Sequence, residues 1–358
     1  MKKLNLTARF IVPFVLFFSC TSEYYSLNDF SSTPKIDTHA HLDAQGSTMA
    51  EQAIADNFRF VFINTDMPET VSIDEQFVLA SAQNKQFPNN ISFVTTFSLK
   101  NWNSPDWVDK TIAKLNDDFN KGAIGVKIWK NIGMTFKDST GEFIMIDNPR
   151  FDPIIKFIES KDKVVVGHLG EPKDCWLPID QMTVNGDKNY YRAHPEYHMY
   201  LHPESPSYDE QIAARDHFLE LHPTLRFVGA HLGSLEWSVD ELAKRLDKFP
   251  NMAVDFAERI CHLQYQSQQE YNKVRNFILK YQDRLIYGTD FYIEATSNIE
   301  QSKSHWHDVW LSDWRYFVTD DILTSPNVDG NFTGLKLPKA VIDKIYYRNA
   351  YKWFKINE

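Results

Sequence analysis

Cysteine is scarce: three in 358 residues, at positions 20, 175 and 261, give no disulfide framework. There is no basic excess either. Lys and Arg number 38 against 48 Asp and Glu, a formal charge of -10, which argues against a nucleic-acid partner because phosphates need clustered cations. The apolar run at 10–18 is too short to span a bilayer. No glycine-rich phosphate loop follows the first strand-like run, no solenoid-period repeat occurs, and no tract is of low complexity. What remains is ordinary globular composition, 43% hydrophobic and 24% charged, with room for one barrel-sized domain or two smaller ones. Aromatics, at 14%, read as core and pocket lining.

The first segment stands apart from the rest. Lys2, Lys3 and Arg9 precede the apolar run Phe10–Phe18, and Ser19-Cys20 closes it, the layout of an export signal. A small residue before a cysteine at this point resembles a bacterial lipoprotein signal. The resemblance implies a signal peptide over 1–19, lipidation of Cys20, a Ser/Thr/Asn/Asp-rich tether over 20–34, and a protein exported across the inner membrane to the cell envelope. An acyl anchor tethers without making an integral membrane protein. Plain secretion with Cys20 incidental is the alternative. Without residues 1–19 the charge is -13, from 35 basic and 48 acidic residues. Cys175 and Cys261 then remain; two buried free thiols are favoured, and a pair between them stays open.

From 35 to 358 short apolar strands alternate with amphipathic helices. Strand-like runs fall at 35–41, 58–64, 91–97, 123–129, 163–168, 225–231, 251–256 and 284–290. Helix-like stretches lie near 48–56, 71–86, 105–120, 150–161, 208–221, 235–248 and 268–281, with a last one at 338–354. Eight strands with intervening helices predict an α/β fold, a single-domain (β/α)₈ TIM-like barrel; an open doubly wound sheet is the alternative. Three connections are long: 130–149, 169–207 and 291–337. The second carries Trp176, Tyr190, Tyr191, His194, His198, Tyr200 and His202, and the third His305, Trp306 and His307. Such loops in a barrel build the pocket rim.

Barrel enzymes place their chemistry where the strands' C-terminal ends meet. The first strand reads Asp37-Thr-His39-Ala-His41, and alternation puts Asp37, His39 and His41 on one face. The fifth ends in Gly-His168-Leu-Gly170, the sixth in Ala-His231-Leu-Gly233, the eighth in Gly-Thr-Asp290. Glycine two residues past each histidine lets the backbone turn and leaves the imidazole facing open space. Four histidines and one aspartate at strand ends form the nitrogen-plus-carboxylate set preferred by zinc, manganese or iron.

On these residues the chain resembles the metal-dependent amidohydrolase superfamily, specifically its amidohydrolase-2 branch, over roughly residues 35–354. The resemblance implies a distorted barrel with one or two divalent ions, and hydrolysis of amides, lactones and related bonds; a sister group decarboxylates instead. It implies His39, His41, His168 and Asp290 as ligands of one ion, zinc first, with manganese or iron as alternatives. His231 would act as acid/base beside the metal-bound water, and Asp290 would carry its proton. Asp37 would orient an imidazole from beneath. Lys127, flanked by Val126 and Ile128, points into the barrel, where a lysine needs a reason. An unmodified Lys127 pairing with a substrate anion or Asp290 is favoured over a carboxylated bridge between two ions. Arg259 is a weaker candidate for a substrate carboxylate, against a salt bridge to Glu258 or Asp255.

The reading is a lipid-anchored metal hydrolase of a small amide, lactone or related bond. Its rivals are a metal-dependent decarboxylase of a small carboxylic acid and a non-catalytic ligand-binding lipoprotein. The partners implied are a small molecule, a membrane through the anchor only, and no nucleic acid; a homo-oligomer stays open.

Overall fold

The computed structural model describes residues 23–68 and 70–356. Nine strands form one parallel sheet: β1 (Lys35–Asp43), β2 (Phe58–Ile63), β3 (Ile91–Thr96), β4 (Gly125–Ile128), β5 (Val164–Gly167), β6 (Phe227–Gly229), β7 (Met252–Asp255), β8 (Leu285–Ile286) and β9 (Phe291–Glu294). Their order is β8-β7-β6-β5-β4-β3-β2-β1-β9. The two edges, β8 and β9, belong to one run of chain broken at 287–290, so the sheet curls back on itself. Thr38 N–H donates to Tyr287 O at 3.1 Å and Asp290 N–H to His39 O at 2.7 Å across that seam. The expected eight-stranded barrel is present, its eighth strand written in two pieces.

Runs such as Val164-Val165-Val166 make strands because β-branched side chains fit a pleated surface buried on both faces. Ile36, Val61, Ile63, Val94, Val164, Val166, Val228, Ala253 and Ile286 fill the barrel, and Trp353 and Phe354 of the C-terminal helix plug its floor. The outer layer of helices packs on Phe58, Phe60, Phe62, Val126, Val165 and Phe227. Among the described residues no helix is long and apolar enough to cross a membrane.

Three expectations change. The stretch 291–337 is not an irregular loop: it holds β9, the helix Ile299–Val318, and a hairpin of β10 (Ile322–Ser325) and β11 (Val328–Thr333), and residues of it do line the cavity. Trp306, Trp310 and Trp314 recur every fourth residue and are buried, so they form one helix face, of which Trp306 also reaches the cavity wall. The connection 169–207 carries its own small core of Cys175, Met182, Tyr191 and Met199; Cys175 and Cys261 are the buried free thiols that the sequence favours. Finally, the expected tether is packed on the barrel from Glu23 onward, with Phe30 in the core. Cys20 and the signal segment lie outside the described residues.

Candidate metal centre

β1 brings His39 and His41 to the barrel mouth. His39 Nδ1 donates to Asp255 Oδ2 at 2.9 Å. His41 Nδ1 faces Ile63 O at 2.8 Å, and His231 Nδ1 faces Ala257 O at 3.0 Å. A carbonyl only accepts, so both rings carry hydrogen on Nδ1 and leave a lone pair on Nε2. All three Nε2 atoms converge on Asp290: His41 at 2.9 Å and His39 at 3.1 Å from Oδ1, His231 at 3.8 Å from Oδ2. His39, His231 and Asp290 bring one ligand atom each within 4.8 Å of one another.

Burial, the largest influence, holds His39 below the ordinary imidazole range and holds His168 and His231 well below it, so these rings are neutral. Burial, the largest influence, would raise Asp290, but a proton carried by His39, His231 or His41 beside it is attracted to the carboxylate and keeps it well below the carboxylate range. A proton shared in this cluster therefore sits on a ring before it sits on Asp290. Lone pairs crowding an ionised carboxylate repel unless a cation lies among them. His168 completes the case. Its ring lies 4.2 Å from that of His231, tilted by 56°, and its buried Nε2 has no hydrogen-bond partner; Glu171 Oε2, 3.4 Å away, does not complete one. An unpartnered buried nitrogen is costly and wants a ligand. This donor set fits a divalent ion.

The imidazoles are buried, not in open space: His168 is 7% and His231 3% exposed. Gly170 and Gly233 do sit at positive φ, +95° and +63°, as the turns require. Lys127 points inward as expected, its Nζ 3.2 Å from His39 Nε2, and burial lowers its amine to about 8 despite Asp290 and Asp255.

Asp37 departs from expectation. The register of β1 against β2 shifts between Asp37 and Ala40, which puts Asp37 on the opposite side from His39. Its carboxylate accepts from Thr289 Oγ1 at 2.6 Å, Thr289 N at 3.1 Å and Trp310 Nε1 at 3.1 Å. It therefore holds the backbone beside Asp290, which takes a left-handed φ of 68°, and it orients no imidazole. Asp255 does that work. Its Oδ1 also accepts from His231 N at 2.7 Å, so one carboxylate fixes two histidines. Burial, its largest influence, would raise Asp255, but His39 and then His231 and Lys127 outweigh it.

A cavity of about 960 Å³ opens over the centre, lined by His168, His231, Asp290, Lys130, Glu171, Asp187, Tyr190, Tyr191, Glu258, Arg259, His305 and Trp306 among others. Arg259 belongs to this wall, but its guanidinium lies 3.6 Å from Glu258 and 3.9 Å from Asp187, not against Asp255. Lys130 is paired with Glu171. Of the expected rim residues, His307 points away and bonds Asp56 at 2.8 Å, and His194 faces Glu196 at 3.3 Å. Asp255, Lys130, Glu171, Asp187 and Glu258 were not expected. Asp255, Lys130 and Glu171 sit at or within four residues of strand ends, so the rule that selected the histidines would have selected them too.

A family model described as Amidohydrolase (Amidohydro_2) matches residues 36–356. No curated protein matches the chain. Among solved structures it is similar to a 2,6-dihydroxybenzoate decarboxylase complexed with 2,6-dihydroxybenzoate, at 15% identity over 91% of this chain and 99% of that one, TM-score 0.54. The 2,6-dihydroxybenzoate decarboxylase from Rhizobium gives 15%, 91%, 99% and 0.52. An uncharacterised TIM-barrel protein from Bordetella bronchiseptica gives 15%, 90%, 99% and 0.52. At these identities the likeness is one of fold.

Proposed function

This chain belongs to the amidohydrolase family, and on that premise we propose that it hydrolyses an amide, lactone or related bond in a small, uncharged, ring-bearing molecule. One observation carries the choice. The two cations of the cavity wall each have carboxylate neighbours: Lys130 is in direct contact with Glu171, and Arg259 lies 3.6 Å from Glu258 and 3.9 Å from Asp187, with its buried Nε left without a hydrogen-bond partner. A wall so balanced has little to offer a substrate carboxylate. Membership in an enzyme family removes the non-catalytic rival.

His39, His41, His168 and Asp290 would hold one divalent ion, zinc in this reading, which when bound acidifies water and polarises a carbonyl. His231 is placed to take and return a proton: its Nδ1 is tied to Ala257 O, and its Nε2 faces Asp290 Oδ2 at 3.8 Å. Lys127, beside His39, steadies negative charge growing on the substrate oxygen. Tyr190 and Tyr191 offer ring faces to a cyclic substrate.

The second reading is decarboxylation. It draws support from Lys127, a cation beside the centre, and from the decarboxylases that share the fold. Metal analysis of the purified protein, then a screen of lactones, amides and aromatic carboxylates, separates the two. Hydrolysis with release of acid is expected; carbon dioxide release from an aromatic carboxylate, with no hydrolysis, would replace this reading by the second.

A further inference from the structure

We propose that the barrel floor, the end opposite the cavity, lies against an anionic lipid surface, held there by a segment with almost no slack. The proposal rests on Cys20 carrying the acyl anchor in the cell envelope. Chain length decides it. Residues 23–34 are fixed to the barrel along their course. Glu23 O accepts from Lys339 N at 2.8 Å. Tyr25 OH donates to Asp343 Oδ1 at 2.7 Å, and Trp314 Nε1 donates to Ser26 O at 3.1 Å. Phe30 is buried, and the buried amine of Lys35 donates to Phe30 O and Thr33 O. Only Thr21 and Ser22 separate Cys20 from Glu23. Three residue steps span at most about 10 Å. An acyl chain on Cys20 therefore keeps Glu23 about that close to the headgroups, and the surface around Glu23 must meet them.

That surface is the floor. β1 runs from Lys35, beside the segment, to His39 and His41 at the mouth. The C-terminal helix, to which Glu23 is bonded, closes the opposite end with Trp353 and Phe354. Its chemistry suits anionic lipid. Residues 337–356 carry five Lys or Arg and one Asp, in a chain of net charge -10. Lys339, Arg348 and Lys352 are exposed, and half-buried Tyr347 and Tyr351 lie with rings 6.4 Å apart. Arg348 is partly answered by Asp343 at 3.5 Å, Lys344 by Asp283 at 2.8 Å and Lys355 by Asp162, so Lys339 and Lys352 face the headgroups most freely. Basic side chains and tyrosines are the residues an anionic interface retains. The cavity then opens away from the bilayer, toward soluble substrate.

The test uses full-length lipidated protein reconstituted in phosphatidylcholine vesicles with and without phosphatidylglycerol. Each of two variants, Lys352→Cys on the floor and Glu204→Cys at the cavity end, is labelled with a polymer-bearing maleimide; Cys175 and Cys261 are buried. With phosphatidylglycerol, labelling at 352 should be at least ~10-fold slower than after detergent, while 204 labels equally in both. A flexible Gly/Ser insert between Thr21 and Ser22 should restore labelling at 352 without releasing the protein. Equal labelling at 352 with and without detergent, on membrane-bound protein of lipidated mass, overturns the docking alone. Equal protection in both vesicle types overturns the anionic assignment. Protection that persists in soluble protein carrying Cys20→Ala points to a second copy on the floor and overturns the lipid occupant. Unmodified Cys20, with wild type and Cys20→Ala both soluble, overturns the anchor and the docking together.

Discussion

At the end of β5, His168 continues the parallel ladder, its N–H donating to Ile128 O at 2.9 Å. At the end of β6, His231, Leu232, Gly233 and Ser234 all take left-handed backbone, with φ of 58°, 57°, 63° and 56°. Both sites read His-Leu-Gly. The β6 copy is held from outside: Asp255 receives the His231 N–H and Ala257 O receives its ring. A Cβ on Gly233 would sit 3.1 Å from Met252 Cε, the flexible end of that side chain, which would have to give by a few tenths of an ångström. Non-glycine left-handed residues cost of order 1 kcal/mol each and persist only where neighbours over-determine them. The β5 copy has only its glycine, Gly170, at positive φ (95°), and a ring with an unpartnered nitrogen. In one histidine the backbone N–H and Nδ1 are held by the protein while Nε2 faces Asp290 at 3.8 Å; in the other, Nε2 has no hydrogen-bond partner. On the proposed reading, that difference fits His168 as a metal ligand and His231 as the proton-transfer group, although His231 also stands with His39 and Asp290 in the cluster that could hold an ion.

The comparison breaks most visibly in paired substitutions. His168→Asn is expected to lose bound metal and, with it, activity below detection. His231→Asn should keep about one ion per chain while kcat falls by about 10²–10⁴, and the limb of the pH profile belonging to that ring should vanish. Metal counts and kcat on both variants check this; two ions in wild type, one of them lost in His231→Asn, would reverse the roles.

A smaller effect sharpens it. Asp255→Asn weakens the acceptor of the His39 ring and of the His231 backbone but touches nothing at His168. Metal affinity, read by chelator competition, should drop about 10–100-fold. An unchanged affinity would mean that His39 is oriented some other way.

The smallest is thermodynamic. Burial holds both rings below the ordinary imidazole value, so the unfolded chain binds more protons than the folded one as pH falls through about 6.5. Stability of the metal-free protein is therefore fully present above that value and is lost as pH drops toward 5. Each ring contributes at most one proton, about 1.4 kcal/mol per pH unit, and either His→Asn variant should flatten the slope by up to that much. Denaturant midpoints between pH 7 and 5 measure it. A variant with an unflattened slope would show that its ring is already protonated in the fold.

Much of this was legible in the chain. β-branched runs between polar breaks marked all eight barrel strands, because a strand buried on both faces must be written as continuous apolar residues. His39, His41, His168, His231 and Asp290 could be selected because polar residues at strand ends face the barrel mouth. The helix Ile299–Val318 is legible too, in the fourfold spacing of Trp306, Trp310 and Trp314, a signal that competes with the rim pattern of His305 and His307.

Other features were settled only by the tertiary structure. Asp37 and His39 look equivalent by alternation, but one register shift in β1 sends them to opposite sides, and a shift costs no change of residue type. That Asp255 orients His39 is a bond across 216 residues, and that Trp310 reads Asp37 is one across 273. The short segment before β1 looked like a tether because its composition is polar; the barrel supplied the pocket for Phe30 and the carbonyls for Lys35. Periodicity is a local property and survives in the order of residues. The choice of partner depends on which strands the folded sheet brings together, and no local pattern records it.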